Sequence, residues 1–210
     1  MKKLNHAHES IGNVMRKRNG TQFKAIAIGA STGGVTAFKL ILSALPADFA
    51  LPILVVTHIS PDSDDGLAVL LNTFCALVVK EADEHELIVP GTVYLAPANY
   101  HLLVERGGSV ALSVDPQVNY ARPSVDVLFE SAAQVYGPAL IGVILTGAGY
   151  DGSKGLLKIK NSGGVAIVQD AADAEMDSMP KSALQLLEAD YVVPLKDIPD
   201  LLTVLVRGKQ

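Results

Sequence analysis

The sequence KAIAIGASTGGVT, residues 24–36, decides the fold of this chain. An apolar run is followed by a glycine-rich turn and then by the start of a helix, the pattern of a strand–turn–helix unit. Ser31 lies at the centre of the turn, with Gly29 two residues before it and Gly33 two residues after it. This G-x-S-x-G spacing is that of a nucleophile elbow, in which the serine hydroxyl projects beside the free N–H groups of a helix. Gly-rich turns of this kind also cradle phosphates, so the stretch by itself leaves both interpretations open.

Further apolar runs alternate with amphipathic helical segments along the rest of the chain. Buried strands are predicted at residues 53–57, 76–80, 139–145, 164–170 and 191–193. Helices are predicted over residues 35–45 and 67–74, from Pro123 to Tyr136, over residues 156–162, from Pro180, and over residues 198–206. Strands that alternate with helices imply right-handed crossovers and a mostly parallel sheet. The sequence therefore predicts a doubly wound α/β fold, a Rossmann-like three-layer arrangement with helices on both faces of the sheet.

The stretch from residue 91 to residue 114 has a different pattern. Its polar and apolar residues alternate around Arg106-Gly107-Gly108, which is typical of a β-hairpin with Gly-Gly in the turn. We expect this hairpin to form a substrate-side wall or an extension of the sheet edge, with His101 in a structural role on its first strand. The predicted organisation is a flexible basic tail over residues 1–23, with a possible short helix at residues 11–15, and one catalytic domain over residues 24–207.

Composition excludes several classes of protein. Of the 210 residues 49% are hydrophobic and 19% charged, which favours strands buried on both faces. The formal net charge of −5 argues against a nucleic-acid partner, and a solitary Cys75 excludes a disulfide framework. The basic start has no apolar core, so we expect no signal peptide, and no apolar run approaches the roughly 18 residues of a membrane span. We therefore expect a cytoplasmic monomer that is not embedded in a membrane, with no cofactor and no metal site.

Three residues of catalytic type come directly after predicted strands. Ser31, His58 and Asp151 should all emerge at the carboxyl edge of the sheet, where such folds bind ligands. A serine hydroxyl needs a base to act as a nucleophile at neutral pH. In this interpretation Ser31 attacks an acyl carbon, His58 takes its proton and Asp151 supports the imidazolium. The oxyanion would be held by backbone N–H groups of Thr32 and of the 147–149 loop, at Ala148.

A rival interpretation concerns the second glycine loop. Gly147, Gly149 and Gly152 form a G-x-G-x-x-G between a predicted strand and a helix, and Asp170 follows the next strand. This spacing resembles a dinucleotide-binding fingerprint. Against it, the fingerprint normally opens the first βα unit, whereas this one comes late in the chain. Asp151 would also place a carboxylate where a pyrophosphate has to lie, which is electrostatically unfavourable.

Several motifs taken together resemble the catalytic domain of the chemotaxis protein-glutamate methylesterases, the CheB family. The motifs are AIGASTGG, VVTHISP, RPSVDVLFESAA, GVILTGAGYDGSKGL, GGVAIVQD and the pair Met179-Pro180. The resemblance spans about residues 24–207. It implies hydrolysis of glutamate γ-methyl esters on the cytoplasmic domain of methyl-accepting chemoreceptors, with release of methanol, and in many members deamidation of receptor glutamines. It also places the family's catalytic triad on Ser31, His58 and Asp151 and implies the same fold.

The chain departs from the family pattern at a few points. Members commonly begin with a phosphorylatable receiver domain, and we expect none here because some 23 residues precede the first strand. Ala148 and Ile59 stand where the family usually has methionine. Arg122 precedes a predicted helix and is hypothesised to attract an acidic receptor surface, although a solvent-exposed arginine is an equal alternative. The other candidate functions are a receptor-binding or signalling module with weak or no activity and, third, a dinucleotide-binding protein.

Overall fold

Seven parallel strands form one sheet in the computed structural model, which describes residues 22–58 and 66–207. The sheet order is β3-β4-β2-β1-β7-β8-β9, and β5 with β6 forms a separate antiparallel pair. The strand bounds are β1 Ala25–Ala30, β2 Ile53–Thr57, β3 Val78–Glu81, β4 Thr92–Leu95, β5 His101–Val104, β6 Val110–Ser113, β7 Leu140–Ile144, β8 Val165–Gln169 and β9 Tyr191–Val193. The predicted doubly wound α/β fold with an added hairpin is confirmed.

Six α-helices within the described residues cover the two faces of the sheet. Their bounds are α1 Gly34–Ala44, α2 Gly66–Asn72, α3 Val125–Tyr136, α4 Ser153–Asn161, α5 Ser178–Leu186 and α6 Ile198–Arg207. Two short 3-10 helices, Gly137–Ala139 and Leu195–Asp197, precede β7 and α6. Buried side chains of α1, α2 and α6 join one hydrophobic core, and those of α3, α4 and α5 join the other.

The central strand β1 shows why both faces must be covered. All six of its residues are buried, and successive side chains point to opposite faces. Ile26 and Ile28 belong to the core under α1 and α6, whereas Ala25 and Ala27 belong to the core under α3 and α4. The small alanines allow α3 to approach the sheet closely. The continuous apolar run in the sequence is therefore the signature of a strand buried on both sides.

The hairpin does not extend the edge of the main sheet. Leu102, Val104 and Val110 are buried in the core that α3 helps to form, and the Val104 N–H donates a hydrogen bond to Ser131 Oγ on α3 at 3.1 Å. The pair β5–β6 therefore packs on a helix rather than extending the sheet. His101 has the expected structural role: it is 1% exposed, and its Nδ1 accepts a hydrogen bond from the backbone N–H of Ser124.

Strand β4 was not predicted as part of the main sheet, because the alternation of polar and apolar residues assigned the whole 91–114 stretch to a hairpin. The TVYL segment, β4, lies in the main sheet between β2 and β3. The edge strand β3 begins at Val78 instead of residue 76, because pairing starts where Val78 meets Thr92 of β4. Two strands, β4 and then β3, therefore lie between β2 and the nearer edge of the sheet.

Some predicted helix starts were wrong. Helix α3 begins at Val125 rather than at Pro123, because Ser124 is still extended and the first helical N–H groups bond to a carboxylate outside the helix. Helix α5 begins two residues before Pro180. Around α2, Leu70 and Phe74 are exposed, and the Lys39 ammonium lies 3.6 Å from the centre of the Phe74 ring.

The predicted basic tail falls almost entirely outside the described residues. Within them, Phe23 is only 4% exposed and packs in the core, so the folded unit includes this residue. The short helix expected at residues 11–15 also lies outside the described part. No helix in the described residues is long and apolar enough to span a bilayer.

Candidate active site

The candidate site lies where the strand order of the sheet reverses. From β1 the chain builds outward on one side through β2 and then returns to β7 on the other side, so a crevice opens beyond the carboxyl ends of these strands. Ala30 and Thr57 are register partners at the ends of β1 and β2. Ser31 and His58 are the next residues of the two strands and therefore emerge side by side at this edge.

The turn that carries Ser31 is held by the end of β7. The Ser31 N–H donates to the Thr146 carbonyl at 3.0 Å, and Thr146 Oγ1 donates to the Thr32 carbonyl at 2.9 Å. Thr146 is 2% exposed, and its own N–H donates to the side chain of buried Gln169 at 2.8 Å. Ser31 itself is partly exposed, and its Oγ has no hydrogen-bond partner among the described residues. The backbone of the turn is thus fixed while the hydroxyl stays available.

The glycines around Ser31 have different roles. Gly33 has a φ of +82°, a left-handed conformation that favours glycine. Gly29 lies in the strand, and a Cβ atom there would be 2.2 Å from Val125 Cγ1, so it is needed for close packing of α3. Within the G-x-S-x-G spacing, Gly33 therefore supplies the left-handed turn conformation, whereas Gly29 leaves room for α3.

His58 and Asp151 form a direct pair. His58 Nε2 lies 2.8 Å from Asp151 Oδ2, and the His58 side chain is 23% exposed. An ionised carboxylate can only accept hydrogen bonds, so Nε2 carries the proton and donates it. In the neutral ring this leaves Nδ1 as the unprotonated nitrogen, the form that a general base requires. The structure therefore joins two of the three predicted catalytic side chains by a hydrogen bond. Strand register places the third residue, Ser31, at the end of the neighbouring strand, although Ser31 does not line the cavity that His58 and Asp151 share.

The Asp151 carboxylate is held by more donors than the histidine alone. It is 2% exposed and accepts hydrogen bonds from side chains and backbone N–H groups on three sides. The donors besides the histidine are Asn119 Nδ2 at 2.7 Å, Ser124 Oγ at 2.8 Å, and the N–H groups of Val125 at 2.7 Å, Gly152 at 3.0 Å and Asp126 at 3.2 Å. Two of these N–H groups belong to the first turn of α3, whose dipole also favours a negative charge there.

The balance of these effects keeps Asp151 ionised. Burial alone would raise the pKa of Asp151, but the hydrogen bonds from His58, Asn119, Val125 and Ser124 outweigh it and hold the pKa below its usual range. Donors that bond to the charged form of a carboxylate stabilise that form. A carboxylate that stays ionised next to the ring supports a positive imidazolium electrostatically.

None of the five donors to Asp151 other than His58 was foreseen from the sequence. Asn119 Nδ2 bridges two carboxylates, those of Asp151 and Asp126, at 2.7 Å each. Burial raises the pKa of Asp126, which is 4% exposed and also accepts the Gly155 N–H at 2.7 Å. Ser124 has the position of a helix N-cap, yet its hydroxyl donates to Asp151 and caps nothing in its own helix. The only available signal was the serine and aspartate around the start of α3, which resembles ordinary capping.

The predicted oxyanion donors remain available. The backbone N–H groups of Thr32 and Ala148 have no acceptor among the described residues. Ala148 lines a cavity of about 300 Å³ together with His58 and Asp151. The neighbouring Gly147 is held in place by the segment before α5: its N–H donates to the Met176 carbonyl at 2.9 Å, and its carbonyl accepts the Met179 N–H at 3.0 Å.

Arg122 lines the same cavity and is partly buried. Its guanidinium donates two hydrogen bonds to Asn99 Oδ1, at 2.7 and 3.0 Å, and two to the carbonyls of Val114 and Asp115, at 2.6 and 3.0 Å. All of these acceptors are neutral, and no carboxylate of the described residues lies within ion-pair distance of Arg122. The positive charge is therefore anchored beside the cavity without being neutralised.

The dinucleotide interpretation finds no support here. The Asp170 side chain accepts the Ala172 N–H at 3.0 Å, a local turn interaction. The loop over residues 147–152 contains the buried Asp151 carboxylate, whose oxygens already accept hydrogen bonds from the histidine and from the start of α3. Fold and site together define a doubly wound α/β protein with a serine, a histidine and an aspartate at its switch-point crevice.

Comparison with known proteins identifies the family within this class. The family model described as CheB methylesterase matches residues 26–202, so the chain belongs to the CheB methylesterase family. The crystal structure of the Thermotoga maritima CheB methylesterase catalytic domain superposes with a TM-score of 0.83 at 39% identity, covering 88% of this chain and 100% of that one.

Two sequence relatives differ in length. A Leptospira interrogans protein, provisionally named protein-glutamate methylesterase/protein-glutamine glutaminase, is 49% identical over 179 residues, which are 85% of this chain and 93% of that protein. A Syntrophus aciditrophicus protein-glutamate methylesterase/protein-glutamine glutaminase is 43% identical over 183 residues. The match covers 86% of this chain and 53% of the Syntrophus protein, so the chain spans about half the length of that relative.

Proposed function

We propose that this chain is a serine hydrolase that removes methyl esters from glutamate side chains of chemoreceptor cytoplasmic domains and releases methanol. The observation that carries the proposal is the hydrogen bond of 2.8 Å between His58 and Asp151. His58 follows strand β2, which is the neighbour of the strand that leads into the Ser31 turn. The family membership and the names of the relatives support the same reaction. Deamidation of receptor glutamines, which the relatives' names include, would use the same groups with ammonia as the leaving group.

The first half of the reaction forms an acyl-enzyme. Ser31 Oγ attacks the ester carbonyl carbon while His58 Nδ1 takes the hydroxyl proton. The carbonyl oxygen becomes an oxyanion, which the N–H groups of Thr32 and Ala148 stabilise. When the intermediate collapses, the carbon–oxygen bond to the methoxy group breaks, and the imidazolium returns its proton to give methanol. Asp151 stays ionised and stabilises the imidazolium throughout.

The second half restores the serine. A water molecule attacks the acyl carbon, and His58 takes one of its protons. The bond to Ser31 Oγ then breaks, and the same proton returns to that oxygen. The products are a free glutamate carboxylate on the receptor and the unmodified enzyme. No cofactor or metal takes part in this scheme.

Arg122 is proposed to assist substrate binding. Its unneutralised charge beside the cavity would attract the acidic surface of a receptor that carries many glutamates. Its hydrogen bonds to Asn99 and to the residues after β6 fix the guanidinium at that position. We further propose that the protein acts in the cytoplasm as a monomer.

Methanol release from methylated chemoreceptor membranes tests the proposed reaction. The Ser31→Ala variant should lose roughly four to six orders of magnitude in rate, because the members of a triad act as a unit. The matched control is Ser43→Ala, since Ser43 is an exposed serine on α1 that bonds only to the Leu40 carbonyl of its own helix. Equal release by the wild type and by Ser31→Ala would overturn the proposal. Receptor capture without any methanol release would instead indicate a binding module on the same fold.

A further inference from the structure

The turn formed by residues 118–121 has an unusual backbone. Val118 and Ala121 exchange two backbone hydrogen bonds, at 3.1 and 3.0 Å, and the two residues between them both have positive φ angles. These angles are 53° at Asn119 and 64° at Tyr120. Such a turn normally selects Asn and Gly, and an aromatic residue with positive φ is uncommon. The chain therefore keeps a tyrosine where the backbone itself favours glycine.

This conformation sends the two side chains of the turn in opposite directions. Asn119 points inward and bridges the carboxylates of Asp151 and Asp126. Tyr120 points outward and is 90% exposed, the highest exposure of any large hydrophobic or aromatic side chain in the described residues. The inward contact fixes the turn, so the tyrosine is presented from a defined position rather than from a mobile loop.

The exposed ring lies at the mouth of the candidate active site. Tyr120 lines the cavity that also contains His58 and Asp151, and half-exposed Tyr150 lines the same cavity. Arg122, two residues along, adds an unneutralised positive charge to this rim. Two aromatic rings and a cation thus line the cavity that holds the His58–Asp151 pair. Aromatic rings lose little conformational entropy when they are covered, which suits them to contacts with a protein partner.

We propose that Tyr120 is a specificity-determining residue that contacts the protein substrate beside the esterified glutamate. This inference rests on the proposed function. The occupant is an acidic protein segment with an apolar side chain next to the ester: the apolar side chain packs against the Tyr120 ring, and the acidic groups face Arg122. A small ester lacks the neighbouring side chains of a protein segment, so the contribution of Tyr120 belongs to the protein substrate.

The test compares two substrates for each variant. kcat/KM is measured for methylated receptor and for the small ester p-nitrophenyl acetate, and the ratio of the two values is the readout. Tyr120→Asn removes the ring with a residue that tolerates positive φ, and it should lower the ratio about tenfold, mostly through KM. Tyr120→Phe retains the ring and should leave the ratio close to that of the wild type. Val192→Asn changes a half-exposed residue on the edge strand β9 and serves as the surface control.

The outcomes separate this inference from the proposed function. An unchanged ratio in Tyr120→Asn would overturn the role of Tyr120 while receptor hydrolysis by the wild type still stands. An equal loss on both substrates would also overturn it, because the tyrosine would then support the site rather than the partner. If the wild type hydrolyses the small ester but never the receptor, the proposed function itself fails. Circular dichroism of each variant establishes that the fold is retained.

Discussion

Asn119 illustrates how a single residue determines the state of the site. Its amide group gives one hydrogen to each of two buried carboxylates that would otherwise repel each other. Asp126 and Asp151 are 4% and 2% exposed, so loss of the amide would take a donor from two buried carboxylates at once. Asn119 is therefore a positioning residue: it acts through Asp151, which in turn orients the His58 ring.

We expect Asn119→Ala to lower kcat for ester hydrolysis about tenfold and the free energy of unfolding by about 1–3 kcal/mol, the usual cost of an unsatisfied buried polar group. Loss of the donor should also raise the pKa of Asp151, because Asn119 is one of the groups that lower it. An NMR titration of the Asp151 carboxyl should then show its midpoint at a higher pH in the variant than in the wild type. Asn119→Gly accommodates the positive φ without the amide and is the control for backbone strain. Wild-type kinetics in Asn119→Gly would contradict the positioning role.

At the scale of structural elements, the loop between β7 and α4 joins the parts of the site. Thr146 accepts a hydrogen bond from the Ser31 N–H, and Gly147 forms hydrogen bonds with the segment before α5. Asp151 accepts hydrogen bonds from N–H groups in the first turn of α3. A Cβ atom on Gly147 would lie 2.1 Å from Met179 Sδ and 2.9 Å from Ser31 Cβ. Glycine is therefore required at this position for a close approach rather than for an unusual φ angle.

Gly147→Ala should displace the Ser31 turn, because the serine Cβ and backbone N cannot retreat as a flexible side chain can. We expect the free energy of unfolding to fall by about 1–3 kcal/mol and the hydrolysis rate by more than about tenfold. Urea denaturation and methanol release measure the two effects. Gly107→Ala, in the hairpin turn, meets only Ser109 Oγ at 3.9 Å and should change neither quantity. A fully active Gly147→Ala would show that the loop can adjust without moving the nucleophile.

At the scale of the whole molecule, the net charge of the protein and the charge beside the cavity have opposite signs. The formal net charge of −5 would repel an acidic receptor at long range. Arg122 places a cation at the cavity, held by neutral acceptors only, so it can attract acidic groups that come close. Salt weakens such attraction, since the Debye length is about 10 Å at 0.1 M ionic strength.

Turnover of methylated receptor should therefore slow as salt is raised, and this salt dependence should decrease in Arg122→Ala. Arg122→Lys keeps the charge and should keep most of the dependence, although it loses the fork of hydrogen bonds to Asn99. Initial rates at several sodium chloride concentrations give the slope for each variant. If Arg122→Ala has the slope of the wild type, Arg122 has no role in attracting the substrate.

The local pattern of the sequence determined most of the architecture. Hydrophobic periodicity marks strands and helices because each element must bury its own apolar residues, and the alternation of the two determines a parallel sheet. The ends of parallel strands share one edge, which is why Ser31, His58 and Asp151 could be placed together from their positions after three strands. The 91–114 stretch was harder, because β4 and the hairpin have the same alternation and differ only in what they pair with.

Only the tertiary structure decided how Asp151 is held and what surrounds the opening. Four of its donors, from Asn119, from Ser124 and from the backbone at the start of α3, lie between 25 and 32 residues away along the chain. Contacts of this kind arise where loops from different crossovers meet, and no sequence period encodes them. The same holds for the outward direction of Tyr120, which follows from the inward bond of its neighbour. Periodicity is a property of one element, whereas these hydrogen bonds depend on the packing of several.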